Sequence, residues 1–120
     1  MAHILIVDDS PTEVRKISKI LEKNNHEISI AENGADGVAL AKAKQPDLIL
    51  MDVVMPGTNG FQATRQITRA PETANIPVII VTTKDQKTDQ VWAERQGAKG
   101  YLVKPAGEKE LISLINKLLS

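Results

Sequence analysis

Residues 4–9 read ILIVDD, four apolar residues followed directly by two carboxylates. A short, uncharged run of large and β-branched residues is typical of a strand that is covered on both faces of a parallel sheet. Four more short apolar runs follow it, at residues 28–31, 48–51, 78–81 and 101–103. Their starts are about 20 to 30 residues apart, which leaves room for one helix between successive strands.

The segments between these runs carry apolar residues at helical spacing. The fourth segment, residues 86–96, has only three adjacent apolar residues and predicts a weakly anchored helix. Strand–helix alternation repeated five times predicts an α/β fold, a doubly wound five-stranded parallel sheet. The residues that mark the other helices are Val14, Ile17 and Leu21, then Val38 and Ala41, then Ala63 and Ile67, and finally Leu111, Leu114, Ile115 and Leu118.

The character of the apolar runs predicts the strand order 2-1-3-4-5. The runs at residues 4–7, 48–51 and 78–81 are continuous, as expected for strands inside the sheet. Residues 27–30, in contrast, alternate between polar and apolar types. That alternation favours an edge strand with one wetter face, so we place the second strand at an edge.

Composition excludes several classes of protein. The 120 residues suffice for one hydrophobic core and not for two, so we expect a single domain over residues 1–120 with no output domain. The net charge is zero, and there is one Phe, one Tyr and one Trp, which argues against nucleic-acid binding by bulk charge or base stacking. With no Cys, no secretory signal and no apolar run near ~20 residues, we expect a cytoplasmic protein without membrane insertion.

Three carboxylates follow neighbouring strands of the predicted sheet. Asp8 and Asp9 come after the first strand and Asp52 after the third. In the predicted order these strands are adjacent, about 4.8 Å apart, at the switch point where such sheets bind ligands. Asp8 and Asp9 could instead cap the first helix, but Ser10 is already a suitable cap. When carboxylates lie this close together, either the pKa of one of them rises or a cation binds to them. Mg²⁺ is the cation that suits a site of oxygen ligands and water molecules.

Two further polar side chains end the remaining strands. Thr82 follows the fourth run and Lys104 the fifth. A hydroxyl and an ammonium facing a carboxylate–metal cluster favour an oxyanion, most simply a phosphoryl group. Taken singly, Thr82 could be a helix cap and Lys104 a solvated lysine. Asp52 is then the candidate nucleophile, and because no nucleotide-binding loop is present, the phosphoryl donor would be activated elsewhere.

Taken together, these residues resemble the receiver domain of two-component response regulators, the CheY-like family. The resemblance covers the whole chain and implies the flavodoxin-like, CheY-like fold. Residues 59–66 and 84–86, together with Val91 and Trp92, are also similar to the stand-alone receivers of type IV pilus chemotaxis systems, the PilH type. This similarity implies a part in twitching motility. The motifs that carry the family resemblance are ILIVDDS at 4–10, LMDVVMPG at 50–57, VTT at 81–83 and GYLVKP at 100–105.

The resemblance implies a role for each acidic residue. Asp52 would accept a phosphoryl group from a histidine kinase. Asp9 and Asp52 would bind Mg²⁺ directly, and Asp8 would act mainly through water. The backbone carbonyl of Val54 would supply a further metal ligand, while its apolar side chain would give little help to a hydrolytic water. The protein would catalyse only its own phosphotransfer and slow autodephosphorylation, and would not be an enzyme in the usual sense.

The resemblance also implies a switch and a partner. Thr82 and Lys104 would contact the phosphoryl oxygens, and the Lys104–Pro105 bond would be cis. Tyr101 would turn inward as Thr82 moves toward the phosphate. The surface of the fourth helix, fifth strand and fifth helix would then bind a downstream effector protein, such as one associated with the pilus motor. Trp92 would be either a core anchor for the weak fourth helix or an exposed contact on that surface.

The same residues leave one alternative function open, and two others fit them less well. A phosphate sink would drain a shared kinase and have no effector of its own. A haloacid dehalogenase type of phosphatase needs a second acid two residues after its nucleophile, and Val54 stands there. A flavodoxin-like electron carrier would need aromatic residues to stack on its flavin.

Overall fold

The computed structural model describes residues 2–55, 57 and 59–120. Pro56, part of the motif at residues 50–57, lies outside the described residues. Within that part of the chain, no helix has the length and apolar content that a membrane span requires. The strands are β1 (His3–Val7), β2 (Glu27–Ala31), β3 (Leu48–Met51), β4 (Val78–Thr82) and β5 (Gly100–Val103), and the helices are α1 (Pro11–Lys23), α2 (Gly34–Lys44), α3 (Gly60–Arg69), α4 (Lys87–Arg95) and α5 (Glu108–Leu119).

The five strands form one parallel sheet in the order β2-β1-β3-β4-β5, which confirms the predicted fold and strand order. Successive side chains of a strand point to opposite faces, and the core is divided accordingly. One face of the sheet packs against α1 and α5, and the other packs against α2, α3 and α4. The three central strands are therefore buried on both sides, as their continuous apolar sequences predict.

Local sequence signals account for the ends of the helices. Pro11 is the first residue of α1, where a missing N–H costs nothing, and the Ser10 hydroxyl accepts a hydrogen bond from the backbone of Glu13. Asn33 and Asn59 cap α2 and α3 in the same way. Gly97 follows α4 with a φ of 98°, a left-handed conformation that glycine adopts without a steric penalty.

Two positions differ from the sequence prediction. Thr82 is the last residue of β4, because its carbonyl still accepts a ladder hydrogen bond from the backbone N–H of Lys104 at 2.7 Å. Ile30 is half exposed although the alternation in β2 places it on the apolar face. The reason is that α1 leaves an open groove beside this edge strand, which Ile30 lines together with Val14.

Candidate functional site

The carboxyl edge of the sheet brings the predicted acidic residues together. Val7 and Met51 are register partners at the ends of β1 and β3, so the residues that follow them emerge side by side. The backbone N–H of Asp8 donates to Ala31 (3.0 Å), and that of Asp52 donates to Val7 (2.9 Å). These bonds continue the ladder past the strand ends and hold both aspartates at the edge.

The three carboxylates form one cluster. Asp8, Asp9 and Asp52 each contribute an oxygen, and these oxygens lie within 4.8 Å of one another. Asp8 and Asp52 are 2% and 7% exposed, whereas Asp9 faces solvent. The backbone N–H of Ser10 donates to Asp8 (2.9 Å), and that of Val54 donates to Asp52 (3.1 Å). Each buried carboxylate is thus oriented by the chain that follows it.

Lys104 is the cation of the cluster. Its Nζ donates to Asp8 Oδ2 at 2.7 Å and to Asp52 Oδ2 at 3.3 Å, and its side chain is only 7% exposed. The Lys104–Pro105 peptide bond is cis. Among the described residues, the cluster of three carboxylates is thus paired with one ammonium, which bonds to two of them, so the site keeps an excess of negative charge.

Electrostatics in the cluster shift two pKa values. Burial raises the pKa of the Asp8 carboxyl, although hydrogen bonds from Lys104 and the Ser10 backbone act in the opposite direction. Burial also acts against the charge on Lys104, but its hydrogen bond to Asp8 and the nearby charge of Asp52 outweigh that effect and raise its pKa. Lys104 therefore keeps its positive charge. That charge offsets only part of the negative charge of the three carboxylates.

The Thr82 hydroxyl has no partner within the described part of the chain. Thr82 is fully buried and its Oγ1 makes no hydrogen bond there. A buried hydroxyl without a partner is costly in free energy and commonly marks a site that is completed by a ligand or water. Thr82 ends β4, which pairs with β3, and Asp52 directly follows the last residue of β3.

Comparison with known proteins identifies the family. Residues 4–116 match the family model described as the response regulator receiver domain. The chain belongs to this receiver domain family. It is 62% identical over 120 residues to Protein PilH of Pseudomonas aeruginosa, a match that covers 100% of this chain and 99% of that protein. Several other curated relatives are longer proteins, of which this chain spans 26% to 53%.

Solved structures agree with this assignment. The Vibrio cholerae chemotaxis protein CheY4 superposes with a TM-score of 0.92 and 28% identity, covering 99% of both chains. The receiver domain of a sensor histidine kinase from Pseudomonas aeruginosa, with 27% identity, superposes with a TM-score of 0.91 over 98% of this chain and 97% of that one. In that structure a magnesium ion is coordinated in the active site cleft. The fold of this receiver domain is thus the CheY-like fold.

The acidic cluster of this receiver domain fits a magnesium ion. Mg²⁺ prefers oxygen ligands and is usually held by one or two carboxylates together with water. The exposed carboxylate of Asp9 opens the cluster to solvent, while the buried ones are fixed by backbone hydrogen bonds. The roles of Asp8, Asp9 and the Val54 carbonyl as ligands stay predictions, as does the role of Asp52 as phosphoacceptor.

Two candidate switch residues of the receiver domain lie away from the acidic cluster in the chain: Tyr101 is in β5 and Trp92 is in α4. Tyr101 is partly buried beside the core, and its hydroxyl donates to the carbonyl of Lys84 at 2.8 Å. Trp92 is 50% exposed, and the one buried residue of α4 is Ala93. The exposure of Trp92 favours its interpretation as a surface contact over that of a core anchor.

One residue that shapes the site carries no functional signal in the sequence. A Cβ at Gly60 would overlap the Asp52 carbonyl and come within 2.6 Å of Val53 Cα. Only glycine therefore allows the start of α3 to approach the backbone that carries Asp52. A glycine after Asn59 reads as an ordinary helix start, and no local pattern distinguishes it from one that packs on a distant segment.

Proposed function

We propose that the protein is a phosphorylation-controlled switch in which Asp52 accepts a phosphoryl group from a histidine kinase. Receiver domains interact with histidine kinases and downstream effectors, and they are signalling modules rather than classical enzymes. In this proposal Asp9 and Asp52 hold Mg²⁺, with help from Asp8 and the Val54 carbonyl. The metal would supply positive charge that offsets the charge of the transferred group.

The observation that carries the proposal is the combination of a buried carboxylate, a buried ammonium beside it and a hydroxyl without a partner among the described residues. Lys104 Nζ bonds more closely to Asp8 than to Asp52, at 2.7 Å and 3.3 Å. Asp52 Oδ2, which accepts the longer of these two bonds, would be the attacking oxygen, with the ammonium beside it. Lys104 can donate to phosphoryl oxygens, and so can the Thr82 hydroxyl, which has no partner among the described residues.

The proposal extends to the output of the switch. Movement of the Thr82 hydroxyl toward a phosphoryl oxygen would change the packing of Tyr101, whose hydroxyl bonds to the loop before α4. The exposed Trp92 on α4 would then contact the partner. The likeness to Protein PilH supports a role in type IV pilus signalling and twitching motility, with the effector associated with the pilus. We place this signalling domain in the cytoplasm.

The apolar Val54 side chain supports slow loss of the phosphoryl group. It is half exposed, two residues after Asp52, and has no group that could orient a water molecule. Autodephosphorylation would therefore depend on the rest of the site.

Phosphorylation by a small-molecule phosphodonor in the presence of Mg²⁺ tests the proposal. A phosphate-affinity gel would resolve the modified chain. We expect a shifted band that disappears in Asp52→Asn and in the presence of a chelator, and that persists in Asp85→Asn, an exposed control. A band that persists in Asp52→Asn would contradict the assignment of the phosphoacceptor. Tighter binding of a partner after phosphorylation than before it separates the switch from a phosphate sink, which would bind none.

A further inference from the structure

Two grooves on the surface around α4 share one lining residue. The first, here called the α4 groove, has a volume of about 630 Å³ and is lined by Lys87, Thr88, Asp89, Val91, Trp92 and Arg95. The second, here called the basic groove, has a volume of about 550 Å³ and lies at the amino ends of β4 and β5. Arg69, Arg95 and Lys99 line it together with Asn75 and Gln96, so Arg95 belongs to both grooves.

The α4 groove presents apolar surface. Trp92 is 50% exposed and Val91 is 41% exposed, although both are large apolar side chains. The Arg95 guanidinium lies 5.9 Å from the centre of the Trp92 ring, within the range of a cation–π contact. Tryptophan and arginine are the residues most enriched among the energetically dominant positions of protein interfaces. The groove therefore has the chemistry of an interface centre.

The basic groove carries an excess of positive charge. No carboxylate lines it, and none of its three cations forms an ion pair with another described residue. The ends of α3 and α4, and Leu118 near the end of α5, border the groove. Each helix C-terminus carries about half a negative charge, so the three ends offset roughly half of the positive charge.

The grooves of the molecule differ in charge. Lys99 belongs to no helix and so compensates no helix end. A third groove, formed by His26, Asp47 and Asn116 among others, is lined by no lysine or arginine. In the α4 groove the one acid is Asp89, which already lies 4.0 Å from the ammonium of Lys84. Among the described residues, the two grooves therefore offer cations and apolar surface, and the one carboxylate that lines them lies close to a lysine.

We propose that the α4 groove and the basic groove form one docking surface for an acidic segment of a partner protein. The segment places an apolar side chain against Trp92 and Val91. Its carboxylates bind Arg95, Arg69 and Lys99. This inference adds the chemistry of the partner to the proposed function. It rests on that function only for the control of partner binding by phosphorylation.

Intrinsic fluorescence provides a direct test, because Trp92 is the only tryptophan of the chain. The probe is a synthetic peptide of glutamates interrupted by leucines, titrated into the unphosphorylated chain without Mg²⁺. We expect a saturable change in Trp92 emission. The double variant Arg69→Gln/Lys99→Gln should bind about tenfold more weakly, because it removes two complementary charges. Lys16→Gln/Lys19→Gln, which removes the same charge from exposed positions of α1, should bind like the unchanged protein.

Three results would overturn the proposal. Equal weakening in both double variants would show that only net charge matters. Equal binding of a peptide with glutamine in place of every glutamate would show that the cations are not used. Complete displacement of the peptide by inorganic pyrophosphate would point to a small-anion site. Because the titration needs neither phosphorylation nor Mg²⁺, its failure would leave the phosphorylation assay of Asp52 unaffected, and the reverse also holds.

Discussion

Lys104 Nζ lies 2.7 Å from Asp8 Oδ2, although the two residues are 96 positions apart in the chain. Both side chains are almost completely buried, as is that of Asp52, the second acceptor of Lys104. The pair places a cation between the two innermost carboxylates of the site. It therefore links the stability of the fold to the charge balance on which metal and phosphoryl binding would depend.

Replacing Lys104 by methionine should destabilise the protein strongly. The change leaves two buried carboxylates without their cation, and loss of one partner of a buried ion pair costs about 3–5 kcal/mol. We also expect Mg²⁺ to stabilise Lys104→Met more than the unchanged protein, because the metal would replace the missing positive charge. Urea unfolding with and without Mg²⁺ measures both effects.

Lys23→Met is the matched control for this experiment. Lys23 pairs with Glu108 at 3.3 Å, but both side chains are exposed, so the ion pair contributes at most about 1 kcal/mol. If Lys104→Met lowers the free energy of unfolding no more than Lys23→Met does, the buried ion pair contributes little to stability.

Replacing Asp9 by asparagine should weaken Mg²⁺ binding by about tenfold or more, since even changes behind a direct ligand have effects of that size. Asp9 is exposed, so the loss should come without a large change in the free energy of unfolding. Calorimetric titration with Mg²⁺ measures the affinity. Glu22→Gln, at an exposed position of α1, controls for the loss of one negative charge. Unchanged affinity in Asp9→Asn would move the metal site elsewhere.

The sequence predicts the fold and the acidic cluster because both depend on short-range patterns. Continuous apolar runs identify β1, β3 and β4 as buried strands, and the strand order then brings their ends to one edge. Asp8 and Asp52 each follow the last residue of a central strand, and these two strands are neighbours. The predicted strand order therefore already places the two aspartates side by side, as they are in the structure.

Contacts between distant segments explain what the sequence does not predict. The need for glycine at position 60 comes from its approach to the Asp52 backbone, and the exposure of Ile30 comes from the open groove beside α1. The sequence also leaves two possibilities open for Trp92, since three adjacent apolar residues on a helix do not show which one is buried. The structure buries Ala93 instead.

Replacing Thr82 by valine should leave stability unchanged or raise it by about 1 kcal/mol. The change removes a buried hydroxyl that has no partner among the described residues, and such a group costs free energy on burial. Thr73→Val is the matched control, because the buried hydroxyl of Thr73 donates to the carbonyl of Ile67 at 2.6 Å. That change should destabilise by about 1 kcal/mol. Equal destabilisation of the two variants in urea unfolding would mean that the Thr82 hydroxyl is satisfied in solution.

Tyr101 should ionise at an unusually high pH. Burial raises the pKa of its phenol to about 12, and the negative charges of Asp89, Asp85 and Asp52 act in the same direction. The pKa of Tyr101 in the folded protein lies above its value of about 10 in the unfolded chain. Its contribution to the free energy of unfolding is therefore complete below pH ~10 and is lost as the pH rises toward ~12. Absorbance at the phenolate band reports on Tyr101 alone, since the chain has one tyrosine. The chain unfolded in guanidinium should titrate near 10, and the same midpoint in the folded protein would show that the phenol is open to water.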